Sequence, residues 1–153
     1  MSINDIYNGK ILEFAGNISH VGRLDAPDGT AKAHSKLCGS TVIVDVKADG
    51  DRLVDYAHDV KACALGQAAA AILANQAIGS DLSELRAARD GLKAMLKEGA
   101  EPPAGRFSDL AFLEPVRDYR ARHASTMLAF EAVVEALENA VENAQHQASA
   151  PAA

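Results

Sequence analysis

Residues 40–62, STVIVDVKADGDRLVDYAHDVKA, leave the backbone few options. Val42, Val44 and Val46 alternate with Ile43, Asp45 and Lys47, the two-residue period of a strand with one buried face. The Asp-Gly pair inside ADGD is a tight-turn signal, and Leu53 to Lys61 is the returning strand. A hairpin with one apolar face is not stable alone, so the rest of the chain has to cover it. Just past Lys61 the period changes. CALGQAAAAILANQAIG, from Cys63 to Gly79, is a run of alanine, leucine and isoleucine with helical character, and Gly79 suits its end.

The remaining segments read as follows. NDIYNGKILEFAGNIS places Ile6, Tyr7, Ile11, Phe14 and Ile18 near helical spacing, which predicts a helix over residues 4–18 capped by Asn4 or Asp5. HVGRLDAPDGTAKAHS is loop, with a short edge strand over Thr30 to His34. SDLSELRAARDGLKAMLKEG predicts a second helix. Ser80 or Asp81 caps it, Glu84 stands at capping-box distance from Asp81, and Gly99 stops it. After the loop AEPPAGRFSDL, a last helix is predicted from Pro115, a good first-turn residue. Residues 1–140 read as one domain, and 141–153, ending QHQASAPAA, as a disordered tail. The predicted fold class is α+β: a small antiparallel sheet of two to three strands with helices on one face and a long C-terminal helix.

Composition narrows the chemistry. A net charge of −6 with scattered cations argues against a nucleic-acid partner. No apolar stretch reaches membrane-spanning length, and MSINDIYNGKILEF has no secretory pattern, so a cytoplasmic protein is expected. The chain lacks Gly-x-Ser-x-Gly, a phosphate-cradling glycine loop and His-Glu-x-x-His, so no enzyme activity is expected.

The chain has only two cysteines. Cys38 follows the apolar Leu37 and precedes Gly39, at the mouth of a strand. Cys63 opens the alanine-rich helix, where free N–H groups and the positive dipole end would favour a thiolate. The 24 residues between them form one hairpin, which returns the chain to its starting end. The last helix offers a third contribution. In 100° steps from His123, Met127, Phe130, Val134 and Leu137 fall within about 40° of it, while Ser125, Ala129, Ala132 and Ala136 form a small-residue stripe near about 200°. Glu131, Glu135 and Glu138 lie outward. Ser125 is therefore predicted to look inward, where a backbone or ligand comes close.

Three segments in order, LCGS, KACALGQAAAA and RHASTMLAFEAV, resemble the U-type iron–sulfur scaffold family (IscU, the NifU N-domain, SufU). NISHVGRLDAPDG resembles that family's entry loop, and DLSELRAARDGLKAML the insertion of the SufU branch. The resemblance covers about residues 4–140. It implies a protein that receives iron and persulfide sulfur from a cysteine desulfurase, holds a transient cluster of [2Fe–2S] type or iron alone, and delivers it to acceptor proteins. Zinc is a further candidate occupant, and a homodimer a candidate assembly. The resemblance implies Cys38 and Cys63 as cluster or persulfide thiols. It also exposes departures. The family's third cysteine falls on Ser125, its preceding histidine on Ala124, and its aspartate on Ser40. His123 stands one position early. Ser35-Lys36 replace Asn-Pro, and Ala62 replaces a glycine.

A tetrahedral zinc or a [2Fe–2S] cluster wants four protein ligands, mostly thiolate or imidazole. Two thiols fill half. His123, Ser125 and Ser40 are the weaker candidates to complete the set. His58, expected on a solvated strand face, and His34 are further donors, as are an exogenous thiol and a second copy of the chain. The alternative from a different class is a cluster-free interaction or regulatory module that docks the desulfurase or another partner. A thiol redox pair ranks last, since nothing resembles Cys-x-x-Cys.

Overall fold

The computed structural model describes residues 8–37 and 39–148. Three antiparallel strands, β1 (Gly29–His34), β2 (Thr41–Asp49) and β3 (Arg52–Lys61), form a sheet in the order β1-β2-β3. The hairpin closes where Asp49 pairs with Arg52 across Gly50 and Asp51. Gly50 has φ +62°, a value that favours glycine at the first central position of such a turn. A register shift at Lys47/Ala48 adds one residue to β3 and tightens the local twist. Val42, Val44 and Val46 are fully buried, as the alternation requires.

Among the described residues four α-helices accompany the sheet: α1 (Gly9–Gly16), which precedes it in the chain, and α2 (Ala64–Gln76), α3 (Leu82–Glu98) and α4 (His123–Ala148), which come after it. The capping box of α3 forms as expected. The Asp81 carboxylate accepts from Glu84 N–H at 2.8 Å, Glu84 accepts from Asp81 N–H at 3.1 Å, and Gly99 ends the helix at φ +68°. In α2 the residues Leu65, Gly66 and Ala68–Ala74 are buried, so this helix has no polar face and lies inside the domain, between α1 and α4.

Packing runs through α4, which lies on β1 and β2 and also touches α2 and α3. Small residues permit this closeness. A Cβ on Gly29 would stand 2.1 Å from the Ala136 carbonyl oxygen and 2.6 Å from the Ala140 nitrogen. Asn139 and Asn143 donate from α4 to the carbonyls of Thr30 and Asp28, both at 3.0 Å, which satisfies acceptors along the edge strand.

The boundaries of three helices differ from expectation. The first helix spans Gly9–Gly16, because the Asn8 side chain caps it by accepting from the N–H groups of Lys10 and Ile11 at 3.0 Å; Asn4 and Asp5 lie outside the described residues. The alanine-rich helix stops at Gln76, ahead of Gly79. The last helix does not begin at Pro115. Residues Gly105–Asp118 form a 3₁₀ stretch, Tyr119 leaves helical backbone (φ −123°, ψ 77°), and α4 starts at His123. The physical reason is competition for acceptors. The His123 Nε2–H donates to the carbonyls of Val116 and Arg117 at 3.1 and 3.0 Å, groups that a continuous helix would offer to residues 120 and 121. At the far end, α4 continues through Ala148, into the stretch whose composition suggested a tail.

Candidate functional site

The hairpin sets the site's location. His34 pairs with Thr41, and Thr41 with Lys61, so the 35–40 loop and the exit from β3 lie at one end of the sheet. That loop is closed by two backbone bonds at 2.9 Å, Gly39 N–H to Ser35 O and Ser35 N–H to Ser40 O. Gly39 adopts φ +71°, a left-handed conformation that its lack of a Cβ permits. Ser35 and Ser40 are buried and Leu37 is exposed. Cys38 lies outside the described residues.

Cys63 is the N-cap residue of α2, with extended backbone (φ −67°, ψ 172°) and no side-chain cap bond. The first-turn N–H groups of α2 therefore have no capping side chain in front of them. The flanking backbone is held by Gln67, whose amide donates to Ala62 O at 2.8 Å and whose N–H donates to Cys63 O at 2.9 Å. The thiol is partly buried, and its sulfur is 3.5 Å from Ser125 Oγ.

Ser125 comes from the first turn of α4 and is almost fully buried. Its hydroxyl donates to the Arg122 carbonyl at 3.1 Å, and the Thr126 hydroxyl joins the same carbonyl at 2.7 Å. With its proton turned to Arg122, Ser125 Oγ accepts from the Cys63 thiol. Turned the other way, it donates to a thiolate. The close approach predicted for this stripe is present: a Cβ on Gly66 would lie 3.0 Å from the Ser125 carbonyl oxygen and 2.8 Å from Ala62 Cβ.

The fold thus brings Cys63 and Ser125 together and leaves the histidines elsewhere. His123 stands two residues before Ser125, about 200° around the helix axis, with Nε2 committed to the 3₁₀ stretch. His34 Nδ1 meets Thr41 Oγ1 at 3.1 Å on the surface. His58 does not lie on a solvated face; it is fully buried, because β3 turns it toward the core beside Tyr56. Its Nε2–H donates to Ser19 O at 2.8 Å and its Nδ1 accepts from the Tyr56 hydroxyl at 3.1 Å, an arrangement that suits the neutral ring. Burial lowers its pKa, against the opposing bond to Ser19. Among the described residues, no three of His, Cys, Asp and Glu stand together as a metal site.

The alternation pattern gives no sign of the buried carboxylate of Asp45. It has no exposed surface and accepts from Arg23 Nε at 2.6 Å, Arg23 Nη2 at 3.2 Å, Leu24 N–H at 3.1 Å and Thr30 Oγ1 at 2.6 Å. Burial pushes its pKa up, but the bonds from Arg23, Thr30 and Leu24 outweigh that and hold it below the usual carboxylate value. The network ties the entry loop to the sheet, where Val21 also bridges to His58. Its only sequence signal is an aspartate at a mid-strand position of a valine-rich run.

Among the described residues, no helix is long and apolar enough to cross a membrane. Comparison with known proteins fits this geometry. Residues 6–126 match the profile of the NifU-like N terminal domain. The chain is 24% identical over 144 residues to the iron-sulfur cluster assembly scaffold protein IscU of Streptococcus pyogenes serotype M1, covering 94% of this chain and 89% of that protein. The crystal structure of a NifU-like protein (N-terminal) from Brucella abortus superposes with a TM-score of 0.88 at 54% identity, over 92% of this chain and 96% of the other. A putative scaffold protein for the SUF system from Fervidobacterium islandicum shares the fold, with a TM-score of 0.81 at 21% identity over 89% and 99% of the two chains.

Proposed function

The chain belongs to the NifU-like N-terminal domain family, and from that premise we propose that it is an iron–sulfur cluster assembly scaffold of the cytoplasm. It takes persulfide sulfur from a cysteine desulfurase, an external thiol reductant brings that sulfur to sulfide, and the product formed with iron passes to acceptor proteins. Its role is stoichiometric, and the cluster is its cargo. The observation that carries this reading is the position of Cys63. A partly buried thiol sits at the uncapped start of α2, beside the sheet end to which the 35–40 loop returns.

Sulfur loading needs only one nucleophile. The Cys63 thiolate attacks the outer sulfur of the donor's persulfide. A new S–S bond forms on Cys63 as the donor's S–S bond breaks, and the donor leaves as a thiolate. Ser125 assists by offering its hydroxyl proton to the anionic sulfur. Holding a [2Fe–2S] cluster asks for more. Cys38 and Cys63 supply two thiolates, half of a four-ligand set, so a stable cluster draws its other ligands from a second copy of the chain or from exogenous thiols. His123, with Nε2 occupied, is assigned to holding the 3₁₀ stretch, and Ser40 to closing the 35–40 loop. Zinc would meet the same shortage of thiolates.

Anaerobic reconstitution with ferrous iron, cysteine, desulfurase and a thiol reductant tests the proposal, read by visible absorption and by iron and sulfide content. Wild type is expected to take up iron and sulfide in a dimeric or thiol-supported form, and Cys38→Ser or Cys63→Ser to lose them. Protein that stays colourless and metal-free in every oligomeric state sinks the proposal. If such protein still docks the desulfurase in both cysteine variants, the cluster-free module is the better description.

A further inference from the structure

The thiol site uses one side of α4 and leaves unassigned the groove on its other side, against α3. Buried Leu96 and Met127 form part of the lining of this groove. Near His123 its walls are cationic: Lys93 and Lys97 from α3, Arg117 and Arg120 from the segment before α4, around a hollow of about 570 Å³. Four exposed cations gather here on a chain whose net charge is −6. Lys93, Lys97 and Arg120 make no ion pair within 4.0 Å among the described residues, and Arg117 has only Glu114 at 3.9 Å. Farther along α4 acidic groups predominate, with Asp90, Glu131, Glu135 and Glu138 against Arg89 and Lys93, and Arg89 is itself paired with Asp90 at 2.9 Å. Glu131, Glu135 and Glu138 line a second hollow that shares Lys93, Met127 and Glu131 with the first, so the two form one continuous groove. Of these carboxylates, Glu138 is paired with Arg86 at 2.6 Å.

The spacing of the cations points to a class of ligand. Lys93 and Lys97 are one turn apart, about 6 Å along the helix axis. An extended peptide carries its i and i+2 side chains on one side at about 6.6 Å. From Arg86 to Lys97 the helix covers about 17 Å, the span of five extended residues or so. We propose that this groove docks an extended segment of a partner protein, acidic at alternate positions over the cationic half and basic over the half lined by Glu131 and Glu135. A nucleic acid would meet the cations equally well, but its next phosphates would run onto Glu135 and Glu138, and like charges in an interface are costly. Exposed Ala124 lines the groove while Ser125, the next residue, faces Cys63. A segment held here is anchored at the helix end that carries the thiol site. The inference does not require that a cluster be bound.

Metal-free protein and labelled peptides test it by fluorescence anisotropy. The probe peptide carries two aspartates and then two lysines, each separated by serine. Comparison probes are the same residues with the charges interleaved, an all-aspartate peptide and single-stranded oligothymidylate. The block peptide is expected to bind most tightly, and Lys97→Glu combined with Arg120→Glu to weaken it about tenfold. Glu135→Lys gives a gain that misfolding cannot imitate: it should shift preference toward the all-aspartate peptide. No saturable binding, equal affinity for the interleaved peptide, indifference to the charge reversals, or tighter binding of oligothymidylate would each overturn the proposal.

Discussion

On the scaffold reading proposed above, in which Cys38 and Cys63 serve one site, replacing Ser125 with cysteine should raise its thiolates from two to three. In a tetrahedral site with metal–sulfur bonds of about 2.3 Å, neighbouring sulfurs stand about 3.8 Å apart. Ser125 Oγ is 3.5 Å from Cys63 Sγ, so a cysteine rotamer along the same direction puts a second sulfur near the required edge length. Four-ligand structural zinc sites bind with about 10–16 kcal/mol, so one thiolate contributes about 3 kcal/mol, roughly a hundredfold in affinity. The assay is an anaerobic titration with Co²⁺, displaced by Zn²⁺ against a chelator of known affinity, on wild type, Ser125→Cys and Ser125→Ala. Ser125→Cys is expected to tighten binding by about a hundredfold and to strengthen the sulfur-to-cobalt absorption. Ser125→Ala should change metal affinity little, since a neutral hydroxyl is a weak ligand. If Ser125→Cys folds normally and binds no more tightly than wild type, then the 3.5 Å contact is packing alone and the site reasoning fails.

Four further outcomes rest on the packing and the buried charges. Asp45→Ala removes the acceptor shared by Arg23, Leu24 and Thr30 and should cost about 2–4 kcal/mol, read as a lower urea midpoint; a loss below about 0.5 kcal/mol would mean that the network is ornamental. Because the folded-state pKa of Asp45 lies below its ordinary value of 3.8, its contribution is present above that pH and is lost as pH falls through the depressed value, so the acid limb of stability should flatten in Asp45→Asn. His58 also has a lowered folded-state pKa, against an ordinary 6.5. The unfolded chain therefore binds the proton first, and stability should decline as pH drops below about 6.5; His58→Gln should show a shallower slope in urea midpoints over that range. Gly29→Ala drives a Cβ into the backbone of α4 and should destabilise by about 3 kcal/mol, whereas an unchanged thermal midpoint would mean that β1 and α4 are not in fact so close.

Much of this architecture is legible in local pattern. The hairpin follows from two-residue alternation around an Asp-Gly pair, and α3 from Asp81, Glu84 and Gly99, because each signal and its consequence lie within a few residues. The inward stripe of α4 was legible for the same reason: helical periodicity alone puts Ser125 on the small-residue side. Other features required the tertiary structure. His58 alternates like a half-solvated strand residue, and it is buried because the distant entry loop packs on it, with Ser19, 39 positions away in the chain, His20 and Val21 meeting it. Pro115 reads as a helix start until the His123 ring takes the carbonyls of Val116 and Arg117 and moves the start of α4 to residue 123. Asp45 meets Arg23 across 22 positions, and Cys63 meets Ser125 across 62. By itself the sequence determined which residues could form strands, caps and helix faces, since backbone preference and side-chain period act over one or two turns. Which thiol meets which hydroxyl, and how cations and carboxylates share the groove between α3 and α4, was decided only when distant segments packed, because those contacts carry no periodic signature along the chain.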